Sequence, residues 1–546
     1  MAPALPDDIY YALCEELALQ EQFDTLFSCA CSSRVLAIPA LTHLYRYHHL
    51  APVKGGGDDE PYKLATKQLM LQRWAILWRS IIASSLDATL FPYCRYIKTL
   101  DFRDLKNLLE DEKFKGNVSK EFFSGPLSKF NLTHQITIGN NKRKWTRLRA
   151  IDILDAVGDE ITKHTPMLES ISGELVSSAL IRWAPRLPRL KALELYDGVP
   201  LEDELVHATI HEHCPQFNSL SIYRWLSEER DHKLSKFISA IRPQSLQFLE
   251  AITEIGASAE TFLSLNTHSK SLKDLRLTVS NDSLPHLALL SGCTAVENLY
   301  VEDQFGAVNI EMTQNDVFLE LISWLQKCSS LNGLSLCKFL SASALITPLL
   351  FSPTLKLRQI VIDPYIPKDS RLFHQALIQQ RNSLQYLSLT GDTEGMFRDD
   401  IDILVDSLTQ LTNLKELRLY LVQEVFHDEH LIPIFQSLPL LEDVYITGME
   451  IKDEVLECVG ALANLKSVEF SGISKFTLDG LLEFVERLGP NNFGIRIMVD
   501  MADPETLLAE EELELVKEGL KLKVAGRLEY LPYKDPNISE FEGDSD

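Results

Sequence analysis

The chain has 546 residues, is 45% hydrophobic and carries a formal net charge of -25, which makes it too long for one ordinary hydrophobic core and too apolar to be mainly disordered. The acidic balance argues against nucleic acid as a partner, because phosphate recognition needs clustered Lys and Arg; the one compact basic run, Lys142-Arg143-Lys144, reads as a solvated loop. Nine cysteines without paired spacing fit a reducing compartment.

In chain order, the first element is the stretch "LPDDIYYALCEELALQEQFDTLFSCACSSRVLAIPALTHLYR" at 5–46. Leu5-Pro6 followed by Asp7-Asp8 marks a helix start, and Ile9, Leu13 and Leu17 recur on one helical face. A second helical pattern holds Phe23, Leu26, Phe27 and Ala30, with Leu36 further on, so a helical hairpin is expected. Its core is too small for much stability alone, and the apolar residues at its edge imply a partner surface.

The pattern resembles the F-box, whose usual form begins Leu-Pro-x-Glu/Asp-Ile/Leu and runs through spaced leucines into a Cys- or Ser-rich helix. "LPDDIYYALCEEL" and "LFSCACSSRVLA" carry the resemblance. The late Trp of many F-boxes is absent, with Ala37 and Ile38 in its place. The family implies binding to the Skp-type adaptor of a cullin-RING ubiquitin ligase. Carried over by position, Leu5, Pro6, Ile9, Leu13 and Leu17 would meet that adaptor or hold the first helix, and Leu26 would pack the second.

"PVKGGGDDEPYK" reads as a flexible linker. The helix that follows, with Leu71, Trp74, Trp78 and Ile82, bridges to the rest of the chain. Arg73 and Arg79 bracket its Trp pair, leaving nothing near the roughly 20 apolar residues of a membrane span.

The dominant signal is then self-similarity. "LPRLKALELYDG", "CPQFNSLSIYRW", "RNSLQYLSLTG" and "LTNLKELRLYL" all carry apolar-x-x-apolar-x-apolar. The first apolar position of each copy falls at Leu190, Phe217, Leu246, Leu272, Val296, Leu331, Leu357, Leu384, Leu414, Leu441 and Leu465. A weaker copy stands at Leu168 and an isolated one begins at Tyr96. Between copies the apolar period changes from two to about 3.6, as at Phe318, Leu321, Ile322 and Leu325, or Ile401, Leu404, Val405 and Leu408. A short strand and a helix that cannot bury their apolar faces alone become stable by stacking on neighbours of the same kind.

These copies resemble leucine-rich repeats of the longer intracellular type. The F-box followed by leucine-rich repeats resembles a known architecture, common among filamentous fungal proteins. The expected fold class is therefore α/β: a leucine-rich-repeat solenoid, a horseshoe with parallel strands inside and helices outside, preceded by a small all-α F-box-like domain. The expected divisions are 1–50 F-box-like, 51–63 linker, 64–165 helical bridge and irregular first repeats, 166–502 solenoid, 503–528 capping helix and 529–546 acidic disordered tail.

Side chains flanking the strand leucines would face the concave surface. Six of the chain's 16 tyrosines fall there: Tyr196, Tyr223, Tyr300, Tyr386, Tyr420 and Tyr445. Glu194, Trp225, Arg276, Glu302 and Arg418 would join that face or its rim. Tyr offers large contact area at low entropy cost, which makes this face the candidate partner site.

No catalytic constellation stands out, and no cofactor or metal is implied. Gly55-Gly56-Gly57 lacks the Gly-Lys-Ser/Thr ending of a phosphate loop. His207 and His211 with Cys214 have the spacing to start a zinc site, but no fourth ligand is identifiable. The expectation is a noncatalytic substrate adaptor of a Skp-cullin-F-box ligase in the cytoplasm and/or nucleus, with no membrane contact. The alternative is a leucine-rich scaffold or inhibitor with no ligase link.

Overall fold

The computed structural model describes residues 6–50, 64–138, 143–366, 370–391, 398–420 and 426–533. Leu5, the linker at 51–63 and the end of the expected tail at 534–546 lie outside the described residues. The chain divides into two compact units, Met1–Leu272 and Lys273–Asp546.

The first unit opens with three helices rather than the expected hairpin: α1 (Asp7–Leu19), α2 (Phe23–Ser32) and α3 (Arg34–Arg46). The break between the last two is local. Ser33 is extended (φ -150°, ψ 139°) and its side chain accepts from the Val35 amide, capping a new helix where the sequence pattern suggested one continuous run. Cys14, Ala18, Phe23, Leu26 and Ala40 form the small core of this trio. The trio is fastened to α4 (Leu64–Ser85) by a 2.8 Å hydrogen bond between the Tyr45 and Ser80 hydroxyls. Tyr45 also stacks on Tyr93, with ring centroids 4.4 Å apart. Within α4, Trp74 and Trp78 both donate their indole N–H to Asp104 Oδ2, at 3.0 and 2.7 Å, so the Trp pair packs inward.

Solenoid pairing begins earlier than residue 166. Strand β1 (Thr99–Asp101), the isolated copy of the sequence pattern, is followed by helix α5 (Phe102–Glu110) and an antiparallel ribbon, β2 (Thr133–Ile138) with β3 (Arg143–Leu148). The parallel sheet resumes with β4 (Ser170–Gly173), β5 (Ala192–Asp197), β6 (Ser219–Arg224) and β7 (Phe248–Ala251), and β1 pairs directly with β4. The intervening residues 102–169 form an excursion between two adjacent strands.

In the second unit β8 (Asp274–Val279), β9 (Asn298–Asp303), β10 (Gly333–Cys337), β11 (Gln359–Tyr365), β12 (Tyr386–Gly391), β13 (Glu416–Tyr420) and β14 (Asp443–Ile446) pair in parallel in sequence order. The short β15 (Met449–Ile451) lies beside β16 (Ser467–Ser474), which also pairs with β14 and with β17 (Arg496–Ala502).

A further strand, β18 (Arg527–Pro532), pairs with β17, which corrects the reading of 529 onward as tail. Ala525 in the left-handed region (φ 53°) ends the helix Glu510–Val524 and turns the chain back. Adding β18 satisfies backbone groups of β17 that its apolar strand would otherwise leave without partners.

The leucines at the phased positions from Leu190 to Leu465 are buried, as are Phe217 and Val296. Each fully buried Leu contributes about 1.5–3 kcal/mol. In the helix Arg398–Leu408, Ile401, Leu404, Val405 and Leu408 are buried as their spacing predicts. In the helix Asn315–Lys327, Trp324 takes the buried place expected for Ile322, beside Phe318, Leu321 and Leu325.

At some turns from helix back to strand, a polar side chain three or four residues before the next strand's first apolar position satisfies backbone groups buried there. The Gln380 amide donates to the Leu350 and Leu355 carbonyls and accepts from the Leu357 amide. Asn492 donates to Leu462 and Leu465 and accepts from Gly489. The thiols of Cys214 and Cys328 occupy corresponding turns, each directed at two carbonyls.

Candidate protein-binding faces

The residues the F-box resemblance singles out divide by exposure. Leu26 is fully buried and Leu17 half-buried, so both hold the trio together. Pro6, at the start of α1, is exposed, and Ile9 and Leu13 are 45% and 50% exposed. Phe27 on α2 and Val35 and Ile38 on α3 are exposed as well. A trio of short helices that keeps so many large apolar side chains in water has surface suited to a partner.

On the sheet, the register of the first unit sets Asp101, Ser172, Glu194, Ser221 and Glu250 in one row across β1 and β4–β7. Arg103, at the start of α5, reaches Glu194 Oε2 at 2.8 Å and Asp101 Oδ1 at 3.2 Å, bridging two carboxylates of that row. The rings of Tyr196 and Tyr223 stack with centroids 5.2 Å apart and an interplanar angle of 9°. The Arg224 guanidinium lies 4.6 Å from the Tyr196 ring centroid, in cation–π range. Glu194, Tyr196, Tyr223 and Phe248 border an open cavity of about 410 Å³ on this face.

Trp225 does not join that face. It is fully buried, its ring lies on Gly198, and its indole N–H donates to Glu202 at 3.0 Å. The physical reason is the room left by Gly198, which carries no side chain under the indole.

In the second unit Arg276, Tyr300, Ser335, Val361, Ser388, Arg418 and Tyr445 succeed one another in register across β8–β14. Tyr300 donates its hydroxyl to Glu302 Oε2 at 2.9 Å, and Lys338 pairs with the same carboxylate at 2.8 Å; burial pushes the Tyr300 hydroxyl pKa far up. A second group gathers Tyr386, Arg418, Tyr420 and Tyr445. Arg418 lies 5.8 Å from the Tyr386 centroid, pairs with Asp443 at 3.2 Å and donates to the Tyr420 hydroxyl at 3.5 Å. The Tyr420 and Tyr445 centroids are 3.9 Å apart. Burial, then the charges of Asp500 and Asp443, holds the nearby Glu469 carboxyl above its ordinary range.

Thus Glu194, Tyr196 and Tyr223 assemble in the first unit, while Tyr386, Arg418, Tyr420 and Tyr445 assemble in the second, with Tyr300 and Glu302 as a separate pair. Arg103 and Arg224 were missed by sequence reasoning. Arg224 directly follows Tyr223, so strand alternation assigns it to the opposite face and gave no signal of its place over the Tyr196 ring; Arg103 arrives from a helix whose placement no periodicity announces.

The histidines with zinc-like spacing serve the backbone instead. His207 Nε2 donates to the Leu201 carbonyl at 2.6 Å and His211 Nδ1 to the Ala240 carbonyl at 2.8 Å. Burial raises the Cys214 thiol to about 12. Among the described residues no group of three or more His, Cys, Asp or Glu is placed to hold a metal ion, and no helix is long and apolar enough to cross a membrane.

Stacked strand–turn–helix units with phased buried leucines define a leucine-rich-repeat solenoid, a fold built for protein–protein contact. No family model and no curated protein matches the chain. Among solved structures it is similar to the leucine-rich repeat-containing protein LegL7 from Legionella pneumophila, at 16% identity over 53% of this chain and 87% of that one, with a TM-score of 0.32. A chain of the Rad7 and Elc1 complex in yeast is 14% identical over 83% of this chain and 97% of its own, with a TM-score of 0.39. The internalin InlF from Listeria monocytogenes is 14% identical over 58% and 78%, with a TM-score of 0.34.

Proposed function

We propose that this protein is a noncatalytic substrate-recognition adaptor of a Skp-cullin-F-box ubiquitin ligase. In this reading α1–α3 bind the Skp-type adaptor, and the tyrosine-bearing strands hold a protein substrate, at Tyr196 and Tyr223 in the first unit or at Tyr300, Tyr386, Tyr420 and Tyr445 in the second. Substrate and ligase are brought together, so ubiquitin transfer is accelerated by proximity. The carrying observation is the exposure of Ile9 and Leu13 on α1 above a trio core that contains Leu26, which suits the positions the F-box resemblance gives to the adaptor contact.

The test is a pull-down of the full chain with purified Skp adaptor, comparing wild type with Leu5→Ala/Pro6→Ala and with Ile9→Asp/Leu13→Asp. Capture by wild type and loss in both variants, with unchanged thermal stability, is the expected result. No capture by wild type would leave a leucine-rich scaffold or inhibitor without a ligase link.

A further inference from the structure

Residues 122–151 contain six Lys or Arg and no Asp or Glu, in a chain of net charge -25. The rest of the chain, with 47 Lys and Arg against 78 Asp and Glu, carries -31. β2 and β3 lie within this segment; of its six basic residues, Lys129 pairs with Glu160 and Arg149 with Asp152.

The register sets Ile138 opposite Arg143, Ile136 opposite Trp145 and His134 opposite Arg147. The two strands join no third strand among the described residues. Thr133, His134 and Gln135 are all exposed, and so are Thr146 and Arg147. Successive strand residues point to opposite faces, so this part of the ribbon is open on both faces. Two strands alone are only marginally stable in water. The ribbon is closed at its base by a 2.9 Å hydrogen bond from the Arg149 amide to the Leu132 carbonyl, and beyond that its outer edge offers backbone N–H and C=O groups as a template for another strand.

We propose that β3 is a docking strand for an extended, Asp/Glu-rich segment of a partner protein, which adds along its outer edge and is matched in charge to the basic segment that holds it. Main-chain hydrogen bonds supply affinity in such strand addition and alternate side chains supply selectivity. The charge of the segment specifies an anionic ligand, and the charge of the remaining chain limits its extent. A strand-length peptide spans about 20 Å and stays against the ribbon. A nucleic-acid duplex extends many times the Debye length of about 8 Å and would run on over acidic surface. The inference does not depend on the ligase reading.

The test is fluorescence anisotropy of the full chain with a labelled alternating Glu-Val peptide of strand length. The comparison probes are the matching Lys-Val peptide, the Glu-Val peptide with alternate amides N-methylated, and a labelled DNA duplex. The Glu-Val peptide is expected to bind, to weaken about tenfold or more between about 50 mM and about 300 mM NaCl, and to lose binding in Arg143→Glu/Lys144→Glu/Arg147→Glu. The salt series on wild type stands without any variant. Absence of Glu-Val binding, equal binding by the charge-reversed protein, or tighter binding of Lys-Val or duplex would overturn the proposal. Undiminished binding of the N-methylated peptide would overturn strand addition.

Discussion

The indole of Trp225 lies on the backbone of Gly198, where an added Cβ would sit 2.2 Å from the ring. Trp225 is thereby withdrawn from the tyrosine-bearing face and becomes part of the core between two repeats. Gly198→Ala forces the indole off its seat and is expected to destabilise the protein by about 1–3 kcal/mol, the usual cost of overpacking. Urea denaturation of the full chain, followed by Trp fluorescence, reads this; an unchanged midpoint would mean that the ring relocates freely.

Gln380 and Asn492 close two helix-to-strand turns, each through three hydrogen bonds to backbone. Gln380→Leu and Asn492→Leu keep similar bulk and strand those backbone groups, at a cost of about 1–3 kcal/mol for each unsatisfied group before relaxation or water entry. Urea midpoints should fall in both variants, while Asn382→Leu, on the exposed part of the same turn as Gln380, should change little.

Stability should decline on mild acidification. Burial, reinforced by Arg46 and opposed by Glu15, lowers His43 from 6.5 to about 4. Burial alone lowers His374 from 6.5 to about 4. Both histidines fold neutral, so their contribution is fully present above pH 6.5 and is lost as pH falls from there toward 4, where no further loss arises from them. Between about pH 7.5 and pH 5 each should cost on the order of 2 kcal/mol. His43→Phe and His374→Phe should flatten the pH dependence of the urea midpoint; an unaltered slope would refute the assignment.

If the sheet face holds the substrate, Tyr300→Ala and Tyr420→Ala should weaken substrate capture without affecting adaptor capture. Tyr420→Ala removes the ring against Tyr445 and a hydrogen bond to Arg418, so its loss should exceed that of Tyr300→Ala. Once a ubiquitinated partner is identified by its accumulation on loss of this protein, titration of that partner with the variants gives the comparison. Undiminished affinity in both would remove the face from consideration.

The leucine-rich-repeat solenoid was legible in the chain because its determinants are local and repeated. Leu414, Leu417 and Leu419 declare a buried strand wherever the pattern occurs, and Ile401, Leu404, Val405 and Leu408 declare the buried stripe of a helix, since the periods of two and 3.6 are properties of the backbone. Exposure at α1 was legible in the same way. What tertiary structure alone decided depends on residues far apart in sequence. Trp225 turns inward because Gly198, one repeat away, leaves room for it. Arg103 bridges Asp101 and Glu194 only because β1 and β5 flank β4 across a long excursion of chain. Arg527–Pro532 is a strand because β17 offers it a hydrogen-bonding edge; the short alternation of Leu528 and Tyr530 lies against the polar, acidic run that follows and does not mark a repeat by itself. Side-chain periodicity encodes which face of an element is buried, but which neighbour buries it, and what is left facing the partner, is settled only when the repeats stack.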